Sequence, residues 1–122
     1  MARITHFDIY VKDVDRASAF YKAAFDWKIE RWEGPMEYWF VITGDLEKTG
    51  INGGMAIGEP LLKGGELTLE VDSFDATVEK VEKAGGDLER EKGAIPGVGW
   101  FGTVSDTEGN VFGIMEEDPE AK

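Results

Sequence analysis

Two short runs, sixty residues apart, carry the side chains of this sequence best placed to exchange a proton or hold a cation. One is His6-Phe7-Asp8-Ile9-Tyr10-Val11 and the other is Glu66-Leu67-Thr68-Leu69-Glu70-Val71. In extended chain, Phe7, Ile9 and Val11 share one face, as do Leu67, Leu69 and Val71, which leaves His6, Asp8, Tyr10, Glu66, Thr68 and Glu70 on the other. If the two runs meet, Glu66 can abstract a proton while His6 or Tyr10 donates one, a general base facing a general acid. The same His6 and Glu66 can instead form a hydrogen-bonded ion pair that satisfies two buried polar groups. Asp8 and Glu70 are open in the same way: carboxylates in one cleft share a proton or a cation, or they lie in water on an open sheet face.

Metal chemistry is constrained by the donor supply. Zinc, nickel and iron centres usually take three or four protein donors, and this chain has one histidine and no cysteine. No cofactor is expected. A divalent metal would start from His6 and Glu66 and would need further donors, although a carboxylate site for a hard cation depends less on histidine.

The elements that must position these groups read as one module written twice. After the first run, Asp13-Val14-Asp15 leads into Ala17 through Ala24; after the second, Ser73-Phe74-Asp75 leads into Thr77 through Ala84. Each is a strand that breaks at a capping turn and enters a helix, with Val14, Ala17, Tyr21 and Ala24, then Phe74, Val78 and Val81, at helical spacing. Gly85-Gly86 stops the second helix. Further strands are expected over 27–32, 37–43 and 54–58 in the first half and 87–91, 99–104 and 110–116 in the second. The pattern predicts an α+β fold of two tandem βαβββ modules whose curved, antiparallel-rich sheets form a cleft. A single domain over 1–122 is expected, with module one at 1–59 and module two at 65–118. A ferredoxin-like α+β domain is the alternative, but enough chain follows each helix for three more strands.

Composition narrows the partners. Twenty-five acidic residues against thirteen basic ones give a formal charge of -12, which repels phosphate backbones and anionic membranes. Nucleic acid and membrane are therefore not expected partners. The lack of cysteine and of a long apolar run points to a cytoplasmic location. Asn52-Gly53-Gly54 and Gly97-Val98-Gly99 lack the setting of a phosphate loop and read as turns. The acidic tail from Glu116 to Lys122 reads as a solvated, frayed end.

Local stretches along nearly the whole chain resemble the glyoxalase / bleomycin-resistance / extradiol-dioxygenase (vicinal oxygen chelate) superfamily, and in particular its glyoxalase-related branch. They are Ile4-Thr5-His6-Phe7, Val11 through Ala17 with Phe20-Tyr21, Phe25-Asp26-Trp27, Val71 through Ala76, Ala84-Gly85-Gly86, Ile95 through Gly99 and Asp106-Thr107-Glu108-Gly109-Asn110. The resemblance implies metal ligands on the first and last strands of each module. His6 and Glu66 fall at two such positions. The carboxylate expected four residues after Gly109 is replaced by Gly113, and the strand around Met55 offers none. Gly113 leaves space for a ligand or for a large neighbour such as Trp100. Trp39, Met55, Trp100 and Met115 are the candidate pocket wall, with core packing as the alternative for each. The resemblance also implies a small-molecule ligand and a homodimer. The leading expectation is a glyoxalase-like lyase or isomerase acting beside a carbonyl, with His6, Glu66 and Tyr10 catalytic and Asp8, Trp39, Met55, Glu70, Trp100, Gly113 and Met115 around the ligand. The alternative is a non-catalytic binding or sequestering protein of the bleomycin-resistance type.

Overall fold

Each half begins with a strand that hands over to a capped helix. In the computed structural model, which describes Met1 and residues 4–122, β1 (Asp8–Val11) leads to α1 (Val14–Phe25). The Asp13 side chain accepts a hydrogen bond from Arg16 N–H at 3.0 Å, satisfying one of the first turn's free donors. The helix ends at Asp26, whose φ of 60° lies in the left-handed region. Then come β2 (Lys28–Arg31), β3 (Trp39–Ile42) and β4 (Gly53–Ile57). The second half repeats the order with β5 (Lys63–Val71), α2 (Phe74–Lys83), β6 (Asp87–Ile95), β7 (Gly99–Ser105) and β8 (Val111–Glu117). Ser73 caps α2 through Ala76 N–H at 3.1 Å, and Glu116 reaches across from β8 to accept from Phe74 N–H at 2.7 Å.

The strands form two four-stranded mixed sheets, ordered β1-β4-β3-β2 and β5-β8-β7-β6. In each, the first strand runs parallel to the last and the other pairings are antiparallel. This is the expected two-module α+β plan. β1 and β5 each lie at an edge of their sheet. Three details differ from expectation. β5 starts earlier, at Lys63, and absorbs a register shift beyond Gly64 (φ 120°). β6 runs on to Ile95 because two further irregularities keep it paired with β7. The tail is docked rather than frayed: Gly97 N–H donates to Ala121 O at 3.0 Å, and Ala121 is 2% exposed.

One core joins the halves. Ile9, Val11, Val41 and Met55 of the first sheet pack with Ala17, Phe20, Tyr21 and Ala24 of α1 and with Phe112 and Ile114 of β8. Tyr21 and Trp27 stack, and both meet Phe112 edge-on. A buried polar latch reinforces this contact. Asp106 accepts from Glu108 N–H, from Asn110 N–H and from the Tyr21 hydroxyl. Asn110 in turn donates to Tyr10 O at 2.9 Å. The Glu108 carboxylate is fully buried and accepts from Lys12 N–H and Asp13 N–H at 3.0 Å and from Arg16 Nε at 2.5 Å. The Arg16 guanidinium and these N–H donors, outweighing the cost of burial, hold the Glu108 pKa down at about 2. Burial and the adjacent Asp106 push the Tyr21 phenol well above its ordinary range.

Candidate functional site

Each sheet buries one face against the helices and leaves the other open. On the first sheet, Ile9 lies opposite Met55, which lies opposite Trp39, so these three share the buried face with Val41. Met55 is fully buried, and Trp39 is pressed between that core and the Arg31 guanidinium, 5.1 Å from its ring. Neither Trp39 nor Met55 walls the open face, contrary to the sequence expectation. Alternation from the buried Val41 puts Tyr38 and Phe40 there instead.

Asp8 and Tyr10 do lie on the open face, and His6 joins them just before β1. Tyr38 completes a three-membered network. Its hydroxyl donates to Asp8 Oδ1 at 2.7 Å, and His6 Nε2 lies 2.8 Å from the hydroxyl and 3.0 Å from the same carboxylate oxygen. Burial, helped by the Asp8 acceptor, pushes the Tyr38 pKa to about 12. Gly54 makes the network possible, since a Cβ there would collide with the Tyr38 hydroxyl. The group can hold and pass a proton, and it has an apolar neighbour in Phe40, whose ring meets Tyr38 edge-on.

Glu66 is not part of it. Its carboxylate turns back on its own strand and accepts from Lys63 N–H and Gly64 N–H, and those donors lower its pKa. Among the described residues no hydrogen bond or ion pair joins Glu66 to His6. The reason is local: the turn at Gly64 leaves N–H groups that the nearest carboxylate satisfies.

The open face of the second sheet is built differently. Thr68 lies opposite Gly113, Glu70 opposite Met115, and Met115 opposite Phe101. A Cβ on Gly113 would come within 2.7 Å of the Phe101 ring and 2.8 Å of Thr68 Oγ1, so Phe101 already fills that space. Trp100, the expected filler, is one residue away and therefore on the other face. There it pairs with Glu116, donates its indole N–H to Asp118 at 3.1 Å and lies 5.3 Å from Lys92 Nζ. By strand position, Phe101 corresponds to Tyr38: each is one step along its strand from the residue facing Met55 or Ile114.

Two hollows meet at β5. A cavity of about 470 Å³ on the open face is lined by Thr68, Glu70, Gly97, Val98, Met115, Glu117 and Pro119. A larger groove, about 700 Å³, follows the edge of β5 and meets Phe7, Phe25, Trp27, Leu67, Leu69 and Phe112 along with Thr68 and Glu70. Of the sequence candidates, Glu70 and Met115 therefore line a cavity, Gly113 lies beneath Phe101, and His6, Asp8 and Tyr10 belong to the other sheet. Tyr38, Thr68 and Phe101 are the residues to add. Tyr38 and Phe101 were recoverable by counting alternation outward from Val41 and from Val104.

A metal centre of the type implied by the resemblance does not fit these side chains. Among the described residues no three His, Asp or Glu converge on one point. His6 is held by Asp8 and Tyr38, Glu66 by its own turn, and Gly113 has no donor.

The comparisons agree with this architecture. Residues 3–44 match the family described as bleomycin resistance protein-like N-terminal. A 50-residue stretch, 41% of the chain, is 40% identical to a putative glyoxylase of Mycobacterium bovis. The same holds for the Mycobacterium tuberculosis protein, and the stretch spans only 19% of these relatives' length. The fold matches a fosfomycin resistance protein from Listeria monocytogenes with a TM-score of 0.75 at 17% identity, covering 97% of this chain and 93% of that one. It matches a glyoxalase-related enzyme from Fulvimarina pelagi with a TM-score of 0.70 at 19% identity, covering 100% and 98%. An antibiotic binding protein from Streptomyces sp. CB03234 gives 0.69 at 20%, covering 97% and 98%. The chain is thus similar to the bleomycin resistance protein-like family over residues 3–44, and it shares its fold with glyoxalase-related and resistance proteins. No helix among the described residues is long and apolar enough to cross a membrane.

Proposed function

We propose that this chain binds a small molecule without a metal, in the manner of the bleomycin-resistance type, and that the ligand occupies the open-face cavity between Glu70 and Val98. One observation carries the reading: Phe101 lies over Gly113, so an aromatic floor stands where the resemblance to metalloenzymes implies a carboxylate. Thr68 supplies a hydroxyl, Glu70 a charge, and Met115 and Val98 apolar surface, the usual mixture of a ligand site. The Streptomyces relative of similar fold is named as an antibiotic binding protein. The Listeria relative has been seen with Mn(II) and 1S,2S-dihydroxypropylphosphonic acid, and among the described residues of this chain no group of three His, Asp or Glu could hold a metal. The test is a ligand screen by thermal shift and tryptophan fluorescence, run with and without chelator, with the ligand recovered and analysed afterwards. A stabilising ligand returned unchanged, with equal affinity in chelator, is the expected result. A requirement for metal would sink the reading.

A second reading, metal-free acid–base chemistry, rests on the His6–Asp8–Tyr38 network. It replaces the His6–Glu66 pairing, since His6 and Tyr38 are in contact and Glu66 is not. It predicts that a recovered ligand is transformed, and that Tyr38→Phe abolishes the transformation while binding persists.

The continuous core and the Glu108 latch support treating 1–122 as one domain. The edge position of β5 and the apolar residues in its groove, among them Phe7, Leu67 and Leu69, support a homodimer in which the second copy covers that edge. Light scattering at graded concentrations tests it, and a monomer throughout would rule it out.

A further inference from the structure

The walls of the open-face cavity are unequal in charge. Glu70 lies opposite Met115, and Glu117 stands two residues beyond Met115 on the adjacent strand, on the same face. The two glutamates thus share one face of this parallel pair, Glu70 across from Met115 and Glu117 two residues further along β8. Among the described residues, the rest of the lining is Thr68, Gly97, Val98 and Pro119, with no Lys, Arg or His. Among the described residues neither Glu70 nor Glu117 forms an ion pair. Lys92 is engaged with Asp75 and the Trp100 ring on the other side of the sheet. The apolar wall is fixed in place: Asp118 N–H donates to Val98 O at 2.9 Å, and the Gly97–Ala121 hydrogen bond holds the tail that carries Pro119.

We propose that this cavity selects ligands with a cationic head, an ammonium or amidinium group, on an apolar or aromatic body. The inference rests on the small-molecule reading above and names the ligand class for the same site. A cation between Glu70 and Glu117 meets complementary charge, while its body covers Met115, Val98 and Pro119. An anionic head is repelled locally and by the chain's formal charge of -12. Because both carboxylates are exposed, the preference should weaken with salt.

The test uses three matched probes, 4-phenylbutylamine, 4-phenylbutanol and 4-phenylbutyrate, titrated into isotopically labelled full-length chain and followed by amide shifts. The amine should move the amides of Thr68, Glu70, Val98, Met115 and Glu117 and bind at least about tenfold tighter than the butyrate at low salt. Glu70→Gln with Glu117→Gln should remove most of that preference. Both positions are exposed, so folding is not at stake. If the alcohol and butyrate bind this face as well as the amine, or the double substitution leaves the amine unaffected, the cation proposal fails and the small-molecule site stands. If no probe touches this face, both fail.

Discussion

The two open sheet faces descend from one plan and have been filled in opposite ways. Gly54 and Gly113 occupy corresponding positions, and each admits an aromatic ring from the neighbouring strand, Tyr38 in one case and Phe101 in the other. On the first face the ring carries a hydroxyl, and the result is a closed polar network with His6 and Asp8. On the second the ring is apolar, and the acidic groups on the same face, Glu70 and Glu117, have no ion-pair partner among the described residues. The comparison teaches that one glycine serves either a proton-handling cluster or an apolar floor. The choice lies in the residue that leans over it.

The sharpest way to break the comparison is to release the two halves from each other. Glu108→Ala leaves Arg16 and the Lys12 and Asp13 N–H groups without their acceptor and should cost about 3–5 kcal/mol in urea unfolding. Glu108 also gives that contact a pH signature. Its pKa falls from 4.5 unfolded to about 2 folded, so its stabilisation is complete above 4.5 and disappears as pH drops toward 2. Glu108→Gln should flatten the unfolding profile across that window, and an unchanged acid limb would place the effect elsewhere.

Adding one methyl to each glycine probes the faces separately. Gly113→Ala must displace Phe101, and Gly54→Ala must displace Tyr38, each at a cost of about 1–3 kcal/mol. Ligand affinity should fall only for Gly113→Ala, and equal losses would undo the assignment of the site to the second face. Tyr38→Phe removes one hydrogen bond and should cost about 1 kcal/mol. Ultraviolet titration should then lose a tyrosine that ionises near pH 12. The smallest effect belongs to Glu66→Gln, which should leave ligand affinity within about twofold because the side chain serves its own turn.

The repeat made the fold readable, because alternation and capping residues are local signals and both occur twice. Ile9 and Val11 were assigned correctly by period two, and Asp13 and Ser73 were recognisable as caps. The site was harder to read. Trp39 was left open between pocket wall and core; counting from Val41 puts it on the core side and Tyr38 on the open side. Glu66 looked like a partner for His6 because the offset aligns them, but the turn at Gly64 offers closer donors. Asp106 through Asn110 read as a turn and as part of the resemblance, since nothing local shows that its carboxylates point into the other half. The docked tail was equally invisible, being held by main-chain groups of Gly97 and Val98.

Thr68 and Glu70 wall both hollows, so β5 is a partition shared by two chambers. An occupant of the groove that shifts Thr68 or Glu70 would change the cavity behind it, and by linkage the reverse would hold with equal free energy. If a second copy covers the groove, ligand affinity becomes a function of protein concentration. The strand then acts as a transducer between occupancy and assembly, and titrations at two dilutions would reveal it.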